Sequence, residues 1–203
     1  MKTRMLVVAG LVVFSLLAFP AWAEKGDMQV RFGFSYSMPT DDSAEGGVTT
    51  DLDDAFGYQA SFEYMVTDLI GVEPAVGATN HDVTVSQPAG IGDLEFGEID
   101  VFAVTTDVNF HVFRQERVDL FVGPTIGYAF WGDLETAEAP QDFPAEDEFI
   151  YGLNVGADVP LGESKWAFSG GLEYLFTEMS LEGSSSSVGV DPFQLKVGVT
   201  YSF

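Results

Sequence analysis

The chain contains eight stretches in which apolar and polar side chains alternate at every second position. In the first of them, Val30, Phe32 and Phe34 share one side, whereas Arg31 and Gly33 share the other. A period of two residues is that of a β-strand, whose successive side chains point to opposite faces. We therefore predict an all-β fold of eight strands. The stretches cover residues 28–38, 56–64, 70–77, 102–112, 120–130, 151–159, 166–176 and 193–203.

The two faces of these strands decide between two kinds of barrel. In a soluble, lipocalin-like barrel the apolar faces would line the interior and the polar faces would meet water. In a membrane barrel the apolar faces contact lipid and the polar faces line the lumen. The polar faces are mostly Gly, Ser, Thr, Ala and Asn, from which a soluble core cannot be built. Large aromatic residues lie near the strand ends, as in the aromatic girdles of a membrane barrel: Tyr36, Tyr64, Phe110, Phe130, Trp131, Trp166 and Tyr201.

The connections between the stretches alternate in length. Outer-membrane barrels combine short periplasmic turns with longer extracellular loops. We therefore predict an antiparallel, up-and-down transmembrane β-barrel whose short turns face the periplasm and whose long loops face outward. The short connections are residues 67–68, 114–117 and 161–165, and the long, polar ones are residues 39–55, 79–98, 132–148 and 177–191.

The first 23 residues have the features of a secretory signal peptide. Lys2 and Arg4 precede an apolar run from Met5 to Phe19, and the small-residue site Ala21-Trp22-Ala23 follows. The alternative, a membrane anchor, requires roughly 20 apolar residues, more than this run supplies. We predict that residues 1–23 are cleaved and that residues 24–203 form one barrel domain in the outer membrane.

Charge and cysteine content exclude several function classes. The chain has 32 acidic and 8 basic residues, a net charge of −24, so nucleic acid is not an expected partner. It has no cysteine, which excludes a disulfide scaffold and a thiolate metal site. The surroundings predicted for the acidic loops are outer-membrane lipid and lipopolysaccharide.

Seven charged or titratable side chains fall on the predicted lumen face: Arg31, Glu63, Glu73, Asp107, His111, Glu173 and Lys196. Because unpaired charges are costly in a narrow barrel, we expect a network in which Glu173 meets Lys196 and Arg31 meets Glu63 or Glu73. The network either plugs the lumen or has a purely structural role. Its excess of acids requires a protonated carboxyl group, water in the lumen, or a charged His111.

Pro74 and Pro124 lie inside predicted strands, where each removes a hydrogen-bond donor from the ladder. These positions predict wall irregularities. One interpretation is a β-bulge at each proline. The other is a weakened wall through which an apolar solute leaves sideways.

The sequence offers little for metal binding or catalysis. The acidic loops lack the spacing of a calcium-binding EF-hand, so we expect loosely bound divalent cations that bridge to lipopolysaccharide, and no specific metal site. His81 and His111 have no evident nucleophile beside them, so we predict no catalytic residues, no cofactor and no enzymatic activity. The loop acids concerned are Asp41, Asp42, Asp51, Asp53, Asp54, Asp142, Glu146, Asp147 and Glu148.

Three segments resemble the OmpW family of small outer-membrane proteins. They are FEYMVTDLIGVEPAVGATNHD at residues 62–82, LFVGPTIGYAFW at residues 120–131 and DPFQLKVGVTYSF at residues 191–203. The resemblance implies an eight-stranded barrel with a narrow, largely apolar channel that passes small hydrophobic molecules toward the lipid phase. The acidic loops and the inward charges depart from that family's pattern. The alternative is an OmpA-like structural or surface-interaction barrel with a closed, salt-bridged lumen.

Overall fold

The computed structural model describes residues 26–40, 43–45, 48–86, 93–115, 117–136, 143–144, 146–180 and 187–203. The predicted signal peptide lies outside these residues, so its cleavage stays a prediction. Three of the loop acids, Asp41, Asp42 and Asp142, also lie outside them.

The described chain is built from β-strands. No helix in it is long and apolar enough to cross a membrane. The eight long strands are β1 (Met28–Met38), β4 (Ala55–Met65), β5 (Ile70–Ser86), β6 (Asp93–Gln115), β7 (Val118–Trp131), β10 (Glu148–Pro160), β11 (Trp166–Phe176) and β14 (Phe193–Ser202). The short strands are β2 (Ser43–Glu45), β3 (Val48–Leu52), β8 (Asp133–Thr136), β9 (Phe143–Pro144), β12 (Glu178–Ser180) and β13 (Ser187–Gly189).

The eight long strands form a closed antiparallel barrel. Around the wall the order is β5-β4-β1-β14-β11-β10-β7-β6, and the pairing of β5 with β6 closes the ring. β1 pairs with β14 from Gln29↔Ser202 to Met38↔Phe193, so the first and last strands leave no free edge. The predicted eight-stranded transmembrane barrel is confirmed.

The second external connection differs from the prediction of a loop over residues 79–98. β5 and β6 stay paired from Thr79↔Val101 out to Ser86↔Asp93, with one register shift between Val83 and Thr84. β3 pairs with β5 and β8 pairs with β6, which widens this hairpin into a small sheet beyond the barrel. Outside the membrane a strand can expose polar side chains to water, so its polar composition resembles that of a loop.

The barrel is apolar outside and polar inside. On β1, Phe32 and Phe34 are 55% and 60% exposed, whereas Arg31 of the same strand is only 8% exposed. Lipid, rather than water, is the solvent that favours this arrangement. Aromatic pairs stand at the rims, such as Tyr36 with Phe56, whose ring centroids are 4.8 Å apart.

Trp131 was predicted on the lipid-facing girdle together with Phe130, and this assignment is wrong. The Trp131 side chain is 5% exposed and packs inside the barrel. Phe130 and Trp131 are consecutive residues of β7, and consecutive side chains of a strand point to opposite faces. Only one of the two can therefore contact lipid.

The prolines do not mark β-bulges. Pro74 pairs with Thr106 of β6, and the register of β5 is unshifted there. Pro124 pairs with Leu153 of β10 in an equally continuous register. The described register shifts lie elsewhere, between Val83 and Thr84 and between His111 and Phe113. The bulge interpretation is wrong because a strand tolerates a missing donor without gaining a residue, whereas a bulge requires an extra one.

Candidate functional site

Arg31 is the centre of a charged network that crosses the lumen. Its Nη2 atom lies 2.8 Å from Glu63 Oε2 and 2.7 Å from Asp158 Oδ2, and its Nη1 atom lies 2.8 Å from Glu73 Oε2. The guanidinium also lies over the ring of Phe121, 5.0 Å from the centroid. These contacts join β1 to β4, β5 and β10, so one side chain ties together strands from different sides of the barrel.

His111 extends the network toward the periplasmic end. Its Nδ1 atom lies 2.8 Å from Asp119 Oδ1, and its Nε2 atom lies 3.1 Å from Glu63 Oε1. Carboxylate oxygens accept hydrogen bonds, so both ring nitrogens must donate, and a ring that donates twice is positively charged. Of the three ways to balance the inward acids, this geometry favours a charged His111.

Arg114 connects the network to the periplasmic rim. Its Nε atom lies 3.3 Å from Asp119 Oδ2, and its Nη2 atom lies 2.5 Å from Asp27 Oδ2. Charges of opposite sign therefore alternate without a break from Asp27 at the surface to Arg31 in the lumen. A chain of alternating charges compensates each buried group with the next one.

Neutral side chains complete the network around the two glutamates. Asn109 Nδ2 donates to Glu63 Oε1 at 2.9 Å and to Glu73 Oε2 at 2.6 Å. The Ser61 hydroxyl donates to the other oxygen of Glu73. Like charges that face each other on neighbouring strands would repel, and these donors offset that repulsion.

A second part of the network lies on the remaining strands. Lys196 Nζ of β14 lies 2.7 Å from Glu173 Oε2 of β11. The Thr125 hydroxyl of β7 lies 2.6 Å from Asp107 Oδ1 and 3.2 Å from Glu173 Oε1. The seven side chains predicted for the lumen thus all lie inside the barrel and take part in hydrogen bonds or ion pairs.

The sequence reasoning missed several members of the network, among them Asn109, Asp119 and Asp158. Asn109 and Asp158 alternate with lipid-facing residues in the predicted strands, so this alternation already indicated that their side chains point into the lumen. Asp119 falls between the predicted turn at residues 114–117 and the predicted strand at residues 120–130, and the structure places it within β7. When a strand begins before its apolar run, side-chain alternation does not reveal the first residues of that strand.

A cavity of about 60 Å³ lies between Arg31 and Lys196. It is large enough for on the order of four water molecules. Glu73 and Asp107 line it from one side, and Gly171 lines it from the other. The cavity is therefore small, and charged groups of both signs lie at its boundary.

The outer end of the lumen is apolar. Buried apolar side chains form a cluster there, which we call the outer apolar layer. Val101 and Ala103 pack against it. Its members come from β3, β5, β6, β7, β10, β11 and the segment before β14. The layer consists of Leu52, Val83, Ile99, Ala129, Trp131, Ile150, Leu175 and Val190.

The outer apolar layer was not predicted, because most of its members lie beyond the ends of the predicted strands. Ile150 shares the inward face of β10 with Gly152 and Asn154. Leu175 shares the inward face of β11 with Glu173. The lumen face therefore changes from charged to apolar along the same strands.

His81 lies on the outer part of β5, in the hairpin beyond the membrane-spanning wall. Its Nδ1 atom donates to the Asp53 carbonyl oxygen at 2.9 Å, and its Nε2 atom accepts from the Thr79 hydroxyl at 3.1 Å. Burial lowers the pKa of His81, and the hydrogen bond to Asp53 opposes that shift. The ring is a neutral structural link between the hairpin and the start of β4.

The described loop acids are not gathered into a metal site. In the part of the chain that the structure describes, no group of three or more His, Asp or Glu side chains is arranged to hold a metal ion. Asp53 Oδ2 accepts from the Thr84 hydroxyl at 3.0 Å, and Asp54 Oδ2 accepts from Tyr36 at 2.7 Å. These two carboxylates serve local hydrogen bonds.

Comparisons with known proteins agree with the barrel fold. The family model described as outer membrane protein beta-barrel domain matches residues 6–203. The outer membrane protein OprG from Pseudomonas aeruginosa superposes with a TM-score of 0.74 at 22% identity, covering 88% of this chain and 96% of that chain. AlkL, solved in DMPC bilayers, gives a TM-score of 0.59 at 23% identity over 92% and 94% of the two chains. No curated protein sequence matches the chain.

Proposed function

Because the chain belongs to the outer membrane protein beta-barrel family and lies in the outer membrane, we propose that it admits small hydrophobic molecules and passes them sideways into the membrane. The predicted relationship to small OmpW-like barrels is confirmed by this family match and by the folds of OprG and AlkL. The finer role, that of a channel, is supported by the lumen of this chain.

The outer apolar layer is the observation that carries the proposal. It lies at the end of the lumen that faces outward, opposite the short turns. An inward-facing set of Leu, Ile, Val and Trp side chains favours an apolar solute over water or ions. Leu52 and Val190 belong to segments outside the eight long strands, so they are the members best able to move aside.

The charged network argues for a lateral exit. A solute that passes the outer apolar layer next meets Arg31, Lys196 and their carboxylate partners, which an apolar molecule cannot solvate. The lipid around the wall is the favourable destination. Pro124 of β7 faces that lipid and has no backbone N–H group, which makes its part of the wall the proposed exit.

A second candidate is a structural barrel, and the sealed network favours it. Arg31 and His111 together contact four carboxylates, and the cavity between Arg31 and Lys196 holds only about 60 Å³. In this alternative the outer apolar layer is only the core of the extracellular hairpins. The two candidates differ in whether an apolar solute enters.

Transport into vesicles separates the two candidates. The mature protein is reconstituted into vesicles whose outer leaflet is lipopolysaccharide, a leaflet that slows apolar solutes. We expect faster uptake of N-phenylnaphthylamine, seen by its fluorescence in lipid, and no swelling in glucose. An Ile150→Asn variant, which places an amide in the outer apolar layer, should lose most of the dye uptake. Dye uptake no faster than in protein-free vesicles would instead support the structural barrel.

A further inference from the structure

We infer that the solutes recognised in the outer apolar layer are apolar molecules that carry one hydrogen-bond acceptor, such as a ketone, and that Trp131 Nε1 donates to that acceptor. The inference rests on the proposed function, because it names the chemical class of solute for the same site. It starts from one polar atom of the layer.

The indole nitrogen of Trp131 is a buried donor without a hydrogen-bond partner among the described residues. The side chain is 5% exposed, and its neighbours in the layer are aliphatic. Each other member of the layer is Leu, Ile, Val or Ala, and none of these side chains can accept a hydrogen bond.

A buried donor that lacks a partner lowers the stability of a fold, and native proteins contain few of them. A Phe at this position would fill similar space without that penalty. The indole N–H group therefore has a use that the folded chain alone does not supply. A solute with an acceptor oxygen, held among the aliphatic side chains, provides the missing partner.

The same geometry limits the solute to one class. The aliphatic members exclude charged groups and solutes with several polar groups, because each additional polar group would be buried without a partner. One donor matches one acceptor. A saturated hydrocarbon would fill the layer but leave the indole unpaired, so it should bind more weakly than a ketone of the same length.

The test compares 2-nonanone with n-decane, two probes of similar length. The protein, labelled with ¹⁵N-tryptophan, is placed in lipid nanodiscs. The sequence has three tryptophans, and Trp22 lies in the predicted signal peptide, so Trp131 and Trp166 give the indole signals of the mature chain. A Trp166→Phe variant assigns the Trp131 signal, and Trp166 stands at the periplasmic rim, away from the layer.

We expect the ketone to shift the Trp131 indole N–H signal and to bind about tenfold more tightly than the hydrocarbon. A Trp131→Phe variant should bind both probes with similar affinity, whereas Trp166→Phe should keep the preference. Equal binding of the probes by the unmodified protein, without an indole shift, would overturn this inference alone. Absence of binding by either probe would overturn the proposed function and this inference together.

Discussion

At the scale of single residues, Arg31 has more ion-pair partners inside the barrel than any other residue that the structure describes. Three carboxylates, from Glu63, Glu73 and Asp158, lie within 2.8 Å of its guanidinium. None of these four groups is stable alone in a narrow lumen, because each would be a buried charge without a partner. The four charged groups therefore stabilise one another inside the barrel.

Replacement of Arg31 by Met should destabilise the barrel strongly. The Met side chain fills similar space but removes the cation that Glu63, Glu73 and Asp158 share, so we expect a loss of about 3–5 kcal/mol in unfolding free energy. Urea unfolding in lipid vesicles measures this loss of unfolding free energy. Arg117→Met, the same change at an exposed turn position, serves as the control and should shift stability by less than about 0.5 kcal/mol. Equal losses in both variants would show that Arg31 contributes no more than a surface charge.

Gly71 offers a second test of the network. A Cβ atom at Gly71 would collide with Glu63 Oε1, and that oxygen is held by Asn109 and His111. Gly71→Ala should therefore lower the unfolding free energy by about 1–3 kcal/mol. At Gly77 of the same strand, an added Cβ meets only the Tyr58 carbonyl oxygen at 3.5 Å. Gly77→Ala should be close to neutral, and a result in which the two variants behave alike contradicts this account of Glu63.

At the scale of elements, the strands carry the fold and also its departures from prediction. β1 has the predicted bounds, because alternation along it is uninterrupted from end to end. β11 also has the predicted bounds, although Gly170 interrupts its apolar face. β5 and β6 run further than predicted, since their outer parts meet water and lose the apolar alternation. The period of two residues thus identified the parts of the strands that contact lipid on one face. It did not identify the parts that extend beyond the membrane.

The wall around Pro124 is the element on which the lateral exit depends. Pro124→Val restores a backbone donor to β7 and strengthens the ladder there. We expect several-fold slower dye uptake by a barrel that is still folded, as judged by its migration in unheated gels. Pro160→Val, at the periplasmic end of β10, should leave uptake unchanged. Unchanged uptake in the Pro124 variant would show that the solute does not leave the barrel at Pro124.

The outer hairpin should respond to acid through His81. Because the pKa of His81 is lowered in the fold, the unfolded chain binds more protons, so the neutral ring stabilises the hairpin above the unfolded pKa of about 6.5. That contribution is lost as pH falls through the lower folded-state value. Hydrogen exchange of β5 amides near Val83, corrected for intrinsic rates, should show less protection at pH 5 than at pH 7.5. His81→Gln should remove most of that difference, and a pH effect of the same size in the variant would contradict the assignment.

At the scale of the whole molecule, barrel closure determines what the sequence could reveal about the lumen. The pairing of Glu173 with Lys196 was predictable, because both lie on neighbouring strands at similar distances from the periplasmic turns. The contact of Arg31 with Asp158 joins residues far apart in sequence and on strands that are not neighbours. Such contacts depend on the tilt and stagger of a closed barrel, which side-chain alternation does not specify. The outer apolar layer was missed for a different reason, because most of its members lie beyond the ends of the predicted strands.

The central claim is that the apolar face of every long strand contacts lipid while the polar face lines the lumen. Because the chain has no cysteine, single cysteines placed along β1 can carry a spin label without background. In lipid nanodiscs, collision with oxygen should be high at Phe32 and Phe34 and low at Ser35 and Ser37, a period of two residues. The reverse alternation, with Phe32 and Phe34 shielded and the serines accessible to a water-soluble relaxant, would contradict the claim.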